Sequence, residues 1–80
     1  MADVLVVDDD PDSRSLLRTV LSYHGHTVAQ AWNATEAFVA LGRGRTDVII
    51  TDLAMPGMAG TEFVRALRSA EDTRTIPVVV

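Results

Sequence analysis

Apolar residues gather in four short runs, Val4 to Val7, Thr27 to Ala31, Val48 to Thr51 and Ile76 to Val80. The first, third and fourth are continuous and rich in β-branched residues, as in strands of a parallel sheet covered on both faces. The second, Thr27-Val-Ala-Gln-Ala31, is a weaker strand candidate. Between the runs the period lengthens. Leu16, Leu17, Val20 and Leu21 fall on one stripe of a helix, Ala34, Ala37, Phe38 and Leu41 on a second, and Phe63, Val64 and Leu67 mark a third.

The punctuation agrees with these periods. Asp10-Pro11 places an N-cap before proline at the first helical position. Gly25 suits the position just past a helix end. Asn33 followed by Glu36 resembles a capping box, and Gly42 is expected to stop that helix. Leu53 to Gly60, with Pro56-Gly57 inside it, is a loop. The order β-α-β-α-β-α-β predicts an α/β fold with parallel strands joined by right-handed crossovers. The last run reaches Val80 inside a strand that should be buried, so residues 1–80 are expected to form a partial, C-terminally truncated domain.

Composition narrows the function. Eighty residues make one domain at most, and 48% hydrophobic content is too high for disorder. A net charge of −4 offers no electrostatic reason to bind nucleic acid or an anionic membrane. Without cysteine there is no disulfide framework and no thiolate metal site. No apolar run approaches the roughly 20 residues that span a bilayer, and Met1-Ala2-Asp3 lacks a basic signal region. A cytoplasmic location is the expectation. All seven basic residues are arginine, so the chain contains no lysine.

The chemistry lies in carboxylates. Asp8, Asp9 and Asp10 follow the first strand and Asp52 follows the third. Ligands of parallel sheets bind at the carboxyl ends of the strands. If these two strands are neighbours, the carboxylates share one crevice and stay ionised together only with a compensating cation. Carboxylates, a backbone carbonyl and water are the usual shell of Mg²⁺. Plainer roles compete: Asp10 as a helix cap, Asp12 as a first-turn residue favoured by the helix dipole, Asp8-Asp9 as a solvated strand end. Asp52, taken alone, fits either reading.

The segments Val4-Leu-Val-Val-Asp-Asp-Asp-Pro11 and Asp47-Val-Ile-Ile-Thr-Asp-Leu-Ala-Met-Pro-Gly-Met-Ala-Gly60 resemble the two signature stretches of response-regulator receiver domains, and Ile76-Pro-Val-Val-Val80 is similar to a third. The resemblance covers the whole chain at the family's spacing. It implies a flavodoxin-like, doubly wound parallel sheet of order 2-1-3-4, lacking the fifth strand and last two helices. It implies Asp52 as phospho-acceptor, Asp9 as a direct Mg²⁺ ligand, Asp8 holding the metal mainly through water, and the Ala54 backbone carbonyl as the third protein ligand. Pro56, Gly57 and Gly60 match the turn that shapes the loop over the site. The implied role is two-component signalling: Mg²⁺-dependent phosphoryl transfer from a histidine kinase or phosphotransfer protein to Asp52, by a signalling domain rather than an enzyme.

Two features depart from the family. The Thr or Ser at the end of the fourth strand falls beyond Val80, and Thr75 lies at the opposite end of that strand. The lysine after the fifth strand has no counterpart. A phosphorylation-independent interaction module with an impaired switch is therefore the alternative for this chain. The Val78–Val80 edge, lacking a fifth strand beside it, is expected to drive self-association.

Other matches fail. Asp8-x-Asp10 resembles the nucleophile motif of haloacid-dehalogenase-type phosphatases, but Asp12 stands where Thr or Val is needed and the later lysine is absent. Asp8, Asp10 and Asp12 have EF-hand spacing, but Ser13 replaces the loop glycine and Thr19 the closing glutamate. His24 and His26 read as surface histidines, Trp32 as a packing or rim residue, and Met55 and Met58 as loop packing. Arg65 and Arg68 read as the solvated face of the third helix, and Arg43 and Arg45 flank Gly44 without forming a basic patch.

Overall fold

The computed structural model describes residues 1–52 and 60–80. The elements run β1 (Asp3–Val7), α1 (Pro11–Tyr23), β2 (Thr27–Ala31), α2 (Ala34–Gly42), β3 (Val48–Thr51), α3 (Gly60–Ser69) and β4 (Val78–Val79). The first two helices begin where a side chain accepts amide hydrogens that no helical carbonyl can reach. Asp10 accepts the Asp12 N–H at 3.2 Å and Asn33 accepts the Glu36 N–H at 2.8 Å. Gly25 past the end of α1 has φ +87°, a conformation that glycine adopts without steric cost. The second helix ends differently from expectation. Gly42 is its last helical residue, and the Arg43 N–H turns back to the Ala40 carbonyl at 3.1 Å.

The strands pair in parallel, as the periodicity implied, and in the order β2-β1-β3-β4, as the family resemblance implied. The step from β1 to β2 runs opposite to the later steps. With right-handed crossovers this puts α2 and α3 on one face and α1 alone on the other. Leu5, Val7 and Ile49 point into the two-helix face and pack with Ala34, Ala37, Phe63 and Leu67. Phe38 meets Phe63 edge-on at 5.5 Å between centroids. Val4 and Val6 are buried on the other face, where α1 packs across β1 and β2. That helix buries none of its residues fully. Leu16 is 66% exposed and Val20 46%, so part of its apolar stripe faces solvent.

β4 is shorter than the apolar run Ile76–Val80. The Ile76 N–H is used in a turn, donating to the Thr73 carbonyl at 3.1 Å, and Pro77 has no N–H to give. Pairing therefore starts at Val78 opposite Ile49. The connection before β4 is held by side chains. Arg68 Nη1 donates to the carbonyls of Arg74 at 2.9 Å and Ile76 at 2.7 Å, and the buried Thr73 hydroxyl donates to the Leu67 carbonyl at 2.6 Å. Arg68 is thus a clasp and not only a solvated residue. His26 is half-buried, its Nδ1 accepting the Ala2 N–H at 3.0 Å. Among the described residues there is no fifth strand and no helix after α3.

At the amino end of the sheet, Asp47 accepts the Asp3 N–H at 2.8 Å and pairs with Arg45 Nε at 2.9 Å. The Asp3 amide first, then Arg45, hold the Asp47 carboxyl below the usual carboxylate range. The unfolded chain takes up this proton more readily than the folded one. The stabilisation is therefore present above about pH 4 and lost as pH falls through the carboxylate range. We expect Asp47→Asn to flatten the acid limb of a stability–pH profile measured by urea unfolding. An unchanged limb would contradict this assignment.

Candidate functional site

Register builds the site. Val7 stands beside Thr51 and beside Ala31, so the residues that follow β1 and β3 leave the sheet together. The Asp8 N–H continues the ladder to the Ala31 carbonyl, and the Asp52 N–H to the Val7 carbonyl, each at 3.0 Å. Immediately past this point the chain turns, with Asp8 Oδ1 accepting the Asp10 N–H at 2.9 Å. Asp8, Asp9 and Asp52 each offer a carboxylate oxygen, and these oxygens lie within 4.8 Å of one another. Asp8 and Asp52 are half-buried and Asp9 is exposed.

Asp10 is not one of the three. Its carboxylate caps α1, accepting the Ser13 hydroxyl at 2.8 Å as well as the Asp12 amide, and these bonds hold it below the usual carboxylate range. Asp12 is an exposed first-turn residue. The Ala54 carbonyl, Met55, Pro56, Gly57 and Met58 lie outside the described residues. Gly60 is buried at the start of α3. Trp32 is 53% exposed and directly follows Ala31, which places it next to the strand end that Asp8 extends. Arg43 and Arg45 line a cavity with Asp3 and Val28 at the opposite end of the sheet.

Sequence reasoning passed over one residue at the site. Arg14, in the first turns of α1, donates from Nη1 to the Asp8 carbonyl at 2.8 Å. Its position soon after the Asp10 cap was visible, but an arginine there gives no hint of a main-chain partner at the end of β1.

The donor set is all oxygen and all anionic. It suits a small hard cation such as Mg²⁺ and lacks the nitrogen or sulfur that zinc sites favour. The chain as a whole resembles known proteins. The family profile of the response regulator receiver domain matches residues 4–80. The chain belongs to that family. It is 35% identical to protein PilH of Pseudomonas aeruginosa, aligning over all of this chain and 66% of PilH. It superposes on the chemotaxis response regulator CheY4 of Vibrio cholerae with TM-score 0.91 and 38% identity, covering 98% of this chain and 65% of that one. It also superposes on response regulator TrrA of Thermotoga maritima, solved in complex with Mg²⁺–BeF, with TM-score 0.81 and 37% identity, covering 89% and 62%. The chain spans about two-thirds or less of the length of the curated relatives it matches. Among the described residues, no helix is long and apolar enough to cross a membrane.

Three carboxylates at this spacing repel one another when no cation is bound, and salt screens that repulsion. We expect Asp9→Asn to raise the melting temperature in the presence of a chelator, more at low than at high ionic strength. A lowered melting temperature under both conditions would show that Asp9 is held by favourable contacts instead.

Proposed function

We propose that this chain is the phospho-accepting segment of a two-component signalling protein, and that Asp52 takes a phosphoryl group from a histidine kinase or phosphotransfer protein. The observation that carries this reading is the convergence of Asp52 with Asp8 and Asp9 at the carboxyl ends of adjacent strands. A carboxylate oxygen of Asp52 attacks phosphorus while the bond to the donor imidazole nitrogen breaks. The electron pair leaves with the imidazole, and an aspartyl phosphate forms. Asp9 and Asp52, with the Ala54 carbonyl, would hold Mg²⁺ directly and Asp8 would hold it through water. Bound there, the ion offsets charge on the phosphoryl oxygens and on the nucleophile. Hydrolysis of the acyl phosphate at phosphorus returns the Asp52 carboxylate, so the chain is a signalling domain that takes part in its own dephosphorylation. A cytoplasmic location fits a kinase-fed acceptor of this kind.

The 80 residues include no lysine to pair with the phosphoryl oxygens. Labelling of this chain alone by a small phosphodonor is therefore expected to be slow, Mg²⁺-dependent and confined to Asp52. Mass spectrometry of the labelled peptide checks the position, and Asp52→Asn should abolish the signal. Label that survives Asp52→Asn would defeat the assignment. A parent protein that stays unlabelled yet keeps its signalling output would favour the phosphorylation-independent module.

The partner surface supports a second proposal, self-association. Val79 and Val80 are 52% and 72% exposed, and β4 pairs on one side only among the described residues. Unpaired edge groups beside apolar side chains are a template for another strand. We expect light scattering over a concentration series to show a dimer or larger species. A cooperatively melting monomer at the highest concentration would overturn this.

A further inference from the structure

The Asp8–Asp9 turn is held from three directions. The Asp8 N–H is tied to the Ala31 carbonyl at 3.0 Å. The Asp8 side chain accepts the Asp10 N–H at 2.9 Å. The Asp8 carbonyl accepts Arg14 Nη1 at 2.8 Å. Only the last of these bonds comes from a side chain that is neither in the turn nor in the sheet. Arg14 is itself anchored, because its own N–H donates to the Asp10 carbonyl at 3.0 Å. It is also half-buried, so water competes incompletely for the bond.

We propose that Arg14 is a positioning residue for the cation site, strapping the first turns of α1 to the end of β1. The inference rests on the metal-site reading above. The Asp8 carbonyl and the Asp9 N–H belong to one planar peptide unit. Fixing that carbonyl fixes the plane from which the Asp9 side chain departs. Asp9 is exposed, so packing does little to orient it. Mg²⁺ tolerates little departure from octahedral geometry, and a wandering Asp9 carboxylate would lower its affinity. The bond uses a single Nη1 donor, so a lysine ammonium that reaches the same carbonyl should serve in place of the guanidinium fork.

The test compares the unmodified chain with Arg14→Met, which keeps the aliphatic stem and removes the donor, and with Arg14→Lys. Mg²⁺ alone is titrated while Trp32 fluorescence and the Asp9 amide shift are followed, at a temperature where thermal melts show each chain folded. Arg14→Met should raise the Mg²⁺ Kd roughly tenfold, the lower end of what supporting partners of metal ligands contribute. Arg14→Lys should retain most of the affinity. A merely structural role would lower the melting temperature and leave the Kd of the folded chain unmoved, and that result overturns the proposal. If Arg14→Met does not fold, Arg14→Lys decides: retained affinity with an unmoved Asp9 amide supports the strap, and a Kd raised tenfold overturns it. Absence of Mg²⁺ binding by the unmodified chain would instead overturn the metal-site reading, and the strap with it.

Discussion

The parallel pairing of β1 with β3, two strands that are not consecutive in the chain, is the constraint from which the site follows. Val7 opposite Thr51 brings Asp8 and Asp9 beside Asp52 across more than forty residues of sequence. A one-residue slip would exchange the faces of β1, turning Leu5 and Val7 away from Phe63 and Leu67. The apolar core therefore enforces the same register that gathers the carboxylates. Packing and chemistry are set by one alignment.

That alignment has an electrostatic consequence. The carboxylates are gathered by burial of apolar residues behind them, against their mutual repulsion. The sheet ends carry opposite solutions to their acidic groups. At the amino end, Asp47 is neutralised locally by the Asp3 amide and Arg45. At the carboxyl end, Asp10 is absorbed into the α1 cap, and Asp8, Asp9 and Asp52 lie together as a cluster. Under the proposed function, this cluster would bind a cation before an anionic phosphoryl group arrives. Among the described residues α1 is incompletely covered, with Leu16 and Val20 exposed, and β4 has one strand partner.

Most of the fold was legible because its signals are local. β-branched runs ending abruptly in aspartate marked β1 and β3, and Asp10-Pro11, Gly25 and Asn33 marked helix ends within a few residues. The strand order and the cluster were legible through the motif resemblance and the placement of acids at strand ends. What escaped were side chains whose partners are main-chain groups brought close by the turns. Arg14 reaches the Asp8 carbonyl, Arg68 the carbonyls before β4, and His26 the Ala2 amide. Arg68 and His26 read as surface residues and Arg14 gave no signal, because none of these side chains carries a trace of the carbonyl or amide it meets. β4 was over-extended for a related reason, since hydropathy cannot reveal that the Ile76 amide is spent in a turn.

One cation site is expected where β1 and β3 end. Paramagnetic broadening of amide resonances by trace Mn²⁺ tests it most directly, since Mn²⁺ accepts the same oxygen ligands as Mg²⁺. The account predicts broadening centred on Asp8, Asp9 and Asp52, with the Asp47 region and the 70–76 connection remaining sharp. Broadening centred on Asp47, or spread evenly over all the acidic residues, would contradict it.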